Sequence, residues 1–246
     1  MILLTNRRVL RYATVMPITK YGVREILFMT LLIAAAMAAS VYFAWPRWWW
    51  SLIALVPLTA VWLWVLWFFR DPTRYPPQGD GLLISPCDGR VSDITPIGGD
   101  SPLGEPGIRV GVFMNVFSVH VNRSPADVCV ERVEHVPGAF LDVRNPLAYE
   151  RNESVSIFAR IRLGGVEYPL VVRQVAGFVA RRIVTDLREG QQLAAAERIG
   201  MIKFGSRCEI LVPETLRPKV TVRIGDKVRA GESILVICET GGNSSQ

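Results

Sequence analysis

Residues 188–202 read REGQQLAAAERIGMI, and residues 223–237 read RIGDKVRAGESILVI. Aligned at an offset of 35, the two segments agree at Arg, Gly, Ala, Glu, Ile and Ile. Each copy contains a Gly-marked turn, a short apolar strand, a second turn and another strand. Repetition on that scale with Gly as punctuation predicts β structure, not helix.

The repeated unit resembles the hammerhead half of lipoyl and biotinyl carrier domains, in which two halves build a β-sandwich. SPCDGRVSDI, residues 85–94, looks like the opening strand of such a unit. No Lys stands between apolar residues at a hairpin tip in either copy, which disfavours a prosthetic-group carrier. Outward from the repeat, the runs IRVGVFM, ESVSIFARIRL and YPLVVRQVAG are β-branched and bounded by Gly, Pro and Asp, so residues 70–246 are predicted mostly β. VARRIVTDL, residues 179–187, reads as either a short helix or a strand.

The first part of the chain differs. Residues 26–45 form a charge-free run of 20, and residues 48–69 another of 22. Each is long enough to cross a hydrocarbon core as a helix. All seven tryptophans lie in or beside these runs, at Trp45, Trp48, Trp49, Trp50, Trp62, Trp64 and Trp67, as interfacial anchors do. Residues 1–69 are therefore predicted as a basic segment followed by an α-helical membrane hairpin, which either spans the bilayer or dips into one leaflet. A second apolar run so close behind the first argues against a cleaved signal peptide. Arg7, Arg8, Arg11, Lys20 and Arg24 before the first run, with Arg70 and Arg74 after the second, place both ends in the cytoplasm by the positive-inside rule.

The formal net charge of +6 suggests nucleic acid until its position is considered. Six of the 28 basic and one of the 22 acidic side chains precede residue 70, leaving 22 against 21 beyond it. No basic stripe for tracking phosphates is evident. Cys87, Cys129, Cys208 and Cys238 show neither a CxxC pair nor metal-ligand spacing, and are expected to be reduced and partly buried.

The chain has two histidines. His120, in VFSVHVNRSP, is predicted on the polar face of a strand with Ser118 and Asn122, opposite Phe117, Val119 and Val121. His135, in RVEHVPG, is predicted at the surface. Asp88 precedes a Gly in an ordinary turn signal. In MIKFGSRCEI, residues 201–210, Gly205 and Ser206 interrupt an apolar strand, where a bulge or tight turn is the simplest reading.

RDPTR at 70–74, SPCDGRV at 85–91, FSVHVNRSP at 117–125, ERNES at 150–154, QVAGFVARRIV at 174–184 and ERIGMIKFGSR at 197–207 resemble, in order and spacing, the short form of the phosphatidylserine decarboxylase proenzyme family. The resemblance covers essentially all of residues 70–246. It implies self-cleavage between Gly205 and Ser206 into a β chain of residues 1–205 and an α chain of residues 206–246, with Ser206 becoming a pyruvoyl group. The cofactor is then made from the chain, with neither metal nor pyridoxal phosphate. The resemblance also implies Ser206 as nucleophile, His120 as base and Asp88 as its orienting carboxylate. Asn122 and Arg123 are candidates for binding substrate phosphate and carboxylate. Longer family members carry two histidines three apart in this strand, and here the second position is Arg123. The implied partners are a phospholipid, the inner face of the cell membrane and the chain's own second piece, with room for a homo-oligomer. A membrane-anchored adaptor with a hammerhead domain would share the repeat and the anchor without needing Gly205 and Ser206. A tethered serine hydrolase lacks its GxSxG elbow.

Overall fold

The computed structural model of the chain describes residues 18–44, 49–138, 151–177, 182–203 and 206–239. Two compact units divide between Thr73 and Arg74. In the first, α1 (Val23–Ala44) and α2 (Trp49–Phe68) form a helical hairpin. The Trp62 indole donates to the Thr30 hydroxyl at 3.0 Å across the pair. The open end is closed where the Thr19 N–H donates to the Phe69 carbonyl at 2.8 Å, beside an antiparallel bridge between Ile18 and Arg70. Leu27, Phe28, Leu31, Phe43, Ile53 and Val56 are all more than half exposed. Among the described residues, Lys20–Phe43 is long and apolar enough to cross a membrane, and Leu55–Phe68 is a shorter apolar stretch. A helix apolar on every side and uncovered by protein is compatible with lipid as its solvent. Trp45, the side chains of Trp48, Trp49 and Trp50, and the arginines before residue 18 lie outside the described residues.

The second unit is β. An eight-stranded antiparallel sheet runs in the order β13 (Lys227–Val228), β2 (Gly89–Ile97), β3 (Gly107–Met114), β11 (Ser206–Pro213), β7 (Val166–Ala176), β6 (Ser154–Leu163), β5 (Val128–Val136) and β9 (Gln192–Leu193). One three-stranded sheet orders β4 (Val121–Arg123), β10 (Arg198–Lys203) and β8 (Arg182–Val184). Another orders β1 (Leu82–Ile84), β14 (Ile234–Cys238) and β12 (Pro218–Val220). All three sheets bury apolar side chains in a common core, among them Val110, Val172 and Ile210 from the large sheet, Ile183 and Ile202 from one small sheet, and Leu83 and Val236 from the other. Residues 182–184 of the ambiguous VARRIVTDL segment are thus strand.

The two copies of the repeat each contribute a two-residue strand to an edge of the large sheet, β9 at one end and β13 at the other. Their second strands, β10 and β14, enter different small sheets. MIKFGSRCEI is not a single strand with a bulge. β10 ends at Lys203 in one sheet and β11 begins at Ser206 in another.

β11 is central and covered on both faces. Ser206, Cys208, Ile210 and Val212 face the common core, while Arg207, Glu209 and Leu211 face the other side. There the Arg207 guanidinium reaches Asp93 at 2.7 Å and also bonds Glu209. Burial pushes the Glu209 carboxyl above its ordinary range, although Arg207, Arg109 and Arg173 oppose that shift. Burial acts on Asp93 in the same sense, but Arg207 outweighs it and holds this carboxyl below its usual value. Arg207→Met should therefore cost about 3–5 kcal/mol at neutral pH, because two carboxylates lose their shared cation. A lowered pKa stabilises the fold above the unfolded value of about 3.9 and ceases to do so as pH falls. The gap between variant and wild type, measured by thermal unfolding, should narrow as acid protonates Asp93 and Glu209.

Candidate active site

Ser206 is the first residue of β11, paired with Met114 of β3 on one side and Ala176 of β7 on the other. Its side chain is wholly buried, and its hydroxyl donates to Met114 Sδ at 3.5 Å. Asn122 of β4 reaches the same sulfur, its Nδ2 lying 3.7 Å away. Gln174, opposite Cys208 in the β7–β11 register, donates from Nε2 to Asn122 Oδ1 at 2.7 Å. Two polar side chains thus converge on one sulfur, a weak acceptor, and Gln174 braces one of them. Met114, Asn122, Gln174 and Ser206 are all fully buried.

His120 is also fully buried, and its backbone carbonyl accepts from the Ile202 N–H at 3.3 Å. The expected alternating strand over 117–122 is corrected, because only Val121–Arg123 is strand. Asn115 turns the chain ahead of it. Its side-chain oxygen accepts from the Phe117 N–H at 2.9 Å and its carbonyl from the Ser118 N–H at 3.0 Å, which is the Asx chemistry that competes with a ladder. Phe117 is left 62 % exposed instead of sharing a buried face with Val119 and Val121.

Asp88 occupies the turn before β2, where the following Gly89 is required because a Cβ there would collide with the Phe113 carbonyl. Its Oδ1 accepts from the Ala230 N–H at 2.8 Å, and Arg74 Nη2 donates to both its oxygens at 2.9 and 2.8 Å. Arg74 also reaches Glu232 at 3.4 Å. The structure brings Asp88 to Arg74 and to the turn before β14; its hydrogen bonds do not run to His120. Arg123 is buried and donates from Nη1 to the Ala196 carbonyl at 2.9 Å. His135, its side chain 56 % exposed, lies 2.9 Å from Glu153, at the surface as expected. Gly205 lies outside the described residues.

Sequence reading missed Gln174, Met114 and Arg74. A signal for Gln174 was available, since VVRQVAG places a Gln on the inward face of a strand that is otherwise apolar there. The partnership of Arg74 with Asp88 joins residues across a turn and leaves no periodic trace.

A concavity of about 730 Å³ opens on the opposite face of the large sheet, lined in part by Arg109, Arg132, Phe158 and Arg173. None of Ser206, Asn122 or His120 lines it. Among the described residues, no three His, Cys, Asp or Glu side chains gather as a metal site. The cysteines are free thiols. Burial, reinforced by the neighbouring Cys208 thiol, pushes Cys87 well above its ordinary value, and burial raises Cys238 to about 11. Thiols so disfavoured as thiolates are poor nucleophiles. Iodoacetamide under native conditions should label half-buried Cys129 well before Cys87, Cys208 or Cys238, as read by peptide mass spectrometry.

Comparison with known proteins supplies the class. The family described as Phosphatidylserine decarboxylase matches residues 62–236. The curated phosphatidylserine decarboxylase proenzyme of Syntrophus aciditrophicus is 43 % identical over 185 residues, covering 75 % of this chain and 84 % of its own. Proteins of the same name from Paramagnetospirillum magneticum and Cereibacter sphaeroides are each 43 % identical, covering 70 % of this chain and 71 % and 74 % of their own. The chain belongs to the phosphatidylserine decarboxylase family.

Proposed function

We infer that this chain is a carboxy-lyase that converts phosphatidylserine into phosphatidylethanolamine and CO2, and that it makes its own electron sink from Ser206. The observation that carries this reading is the position of Ser206 within the family match. It is the first residue of a central strand, fully buried, with its hydroxyl on the Met114 sulfur that Asn122 also reaches.

In the proposed maturation, Ser206 Oγ gives its proton to a base and attacks the carbonyl joined to its own nitrogen. A C–O bond forms, the C–N bond breaks, and the nitrogen takes a proton. Loss of the Ser206 Cα proton then expels the Gly205 carboxylate, and addition of water to the residue left behind releases ammonia. A hydroxyl needs a base for this attack, and His120 is our candidate. Asp88 is proposed as a supporting carboxylate, bound in the present form by Arg74. The pocket fits the resulting group, since Asn122 offers hydrogen-bond donors beside the Ser206 side chain. A pyruvoyl group supplies a carbonyl that captures the substrate amine and takes up the electron pair left when CO2 departs. Asn122 and Arg123 would hold substrate oxygens, and His120 would return a proton to the substrate.

The hairpin suits a substrate that does not leave the bilayer, and the basic residues flanking it favour a cytoplasmic domain at the inner membrane. The repeat at opposite sheet edges supports a hammerhead-like origin for the β unit.

Intact mass should reveal chains of residues 1–205 and 206–246, and Ser206→Ala should remain whole. Carboxyl-labelled phosphatidylserine in micelles should release labelled CO2 without added pyridoxal phosphate or metal. Borohydride should trap lipid on the 41-residue piece. A full-length chain that is active, or lipid trapped on the larger piece, would overturn the reading.

A further inference from the structure

Gln174 is costly where it stands. It is fully buried, and its Oε1 has no hydrogen-bond partner among the described residues. An unsatisfied buried acceptor is destabilising, whereas two apolar side chains in place of a buried polar pair can be neutral or stabilising. Stability does not account for a Gln–Asn pair here.

The chemistry of the pair suggests what does. Gln174 Nε2 donates to Asn122 Oδ1, so the acceptor of Asn122 is engaged by Gln174. Asn122 must then present Nδ2 toward Met114 Sδ, the atom on which the Ser206 hydroxyl also rests. The reverse orientation would set Asn122 Oδ1 against a sulfur that has no hydrogen to give. Nδ2 therefore shares one weak acceptor with the Ser206 hydroxyl and is ready for a stronger one.

We propose that Gln174 is a positioning residue that locks the Asn122 amide with its donors toward Ser206, where they stabilise negative charge developing on the carbonyl attached to the Ser206 nitrogen during self-cleavage. The proposal rests on the reading of Ser206 as the nucleophile and adds an oriented donor to it. Donors fixed before reaction act without reorganisation, and removing one slows acyl transfer by roughly a hundredfold or more.

The test follows cleavage in the full-length chain by intact mass, for wild type, Gln174→Glu and Gln174→Met, with thermal unfolding to confirm folding. The ionised carboxylate introduced by Gln174→Glu is only an acceptor, so it draws Asn122 Nδ2 to itself and turns Oδ1 toward Ser206. Gln174→Glu should cut roughly a hundredfold more slowly than wild type at alkaline pH, where its carboxyl is ionised. A buried carboxyl titrates above its ordinary value of about 4.3, and once protonated it can donate to Asn122 Oδ1 again. The ratio of Gln174→Glu to wild-type rate should therefore rise as pH falls. Gln174→Met fills the space without a donor, so its ratio should be reduced at least tenfold and stay flat with pH. A purely structural role predicts no pH-dependent recovery confined to the Gln174→Glu variant. Equal rates for Gln174→Glu and wild type, or identical flat ratios for the two variants, would overturn the proposal. Should Gln174→Glu not fold, a folded Gln174→Met that cuts at the wild-type rate would overturn it alone. Failure of the wild-type chain to cut would instead sink the reading of Ser206.

Discussion

β11 is hydrogen-bonded on both sides and covered on both faces, and the site depends on that confinement. Its register with β3 sets Met114 beside Ser206, and its register with β7 sets Gln174 one rung further along the same face. β4 then lies close enough for Asn122 to join both. A one-residue slip of β11 would send Ser206 to the charged face with Asp93 and replace it in the core by Arg207. The buried ion cluster therefore guards the register as well as the fold, since Arg207 finds its carboxylates on only one face.

The β class was legible in the repeat and in the β-branched runs, because two-residue periodicity and Gly-marked turns are local properties. The apolar helices were legible because a long charge-free run is likewise a local property. Ser206 stood out because a Gly–Ser pair disrupts an apolar run, although the run proved to be two strands in different sheets. His120 was misplaced because Asn115 turns the chain with its own side chain, and an alternating pattern of letters cannot register that bond. Asp88 and Arg74 illustrate the general limit. Their ion pair depends on how two loops approach in space; alone, Asp88 reads as a turn signal and Arg74 as a basic residue flanking the apolar run.

Burial of the Ser206 cluster also bears on the order of events. Hydrogen bonds and partial charges act more strongly where water is absent, and unsatisfied ones cost more there. A polar corner inside a β core is thus suited to a reaction performed once on the chain itself, with every group supplied by the fold. The proposed substrate step would make a different demand, because a headgroup would have to gain access to the same atoms. The two proposed reactions would ask for opposite degrees of closure around one serine.

The C-terminal strands are interwoven with the rest of the molecule, β11 between β3 and β7, β13 against β2 and β14 against β1. In an uncut chain these pairings form within one molecule. If the chain is severed before Ser206 as proposed, the 41-residue piece would be retained by those ladders, by the shared core and by polar contacts such as Arg207 with Asp93 and Arg74 with Glu232. Regaining them after denaturation would be a bimolecular event between a short β-rich fragment and an incomplete sheet with exposed edges. Assembly would then be a one-way history: a cut protein would persist by how slowly it opens, a kinetic stability conferred when the uncut chain folded and not recoverable afterwards.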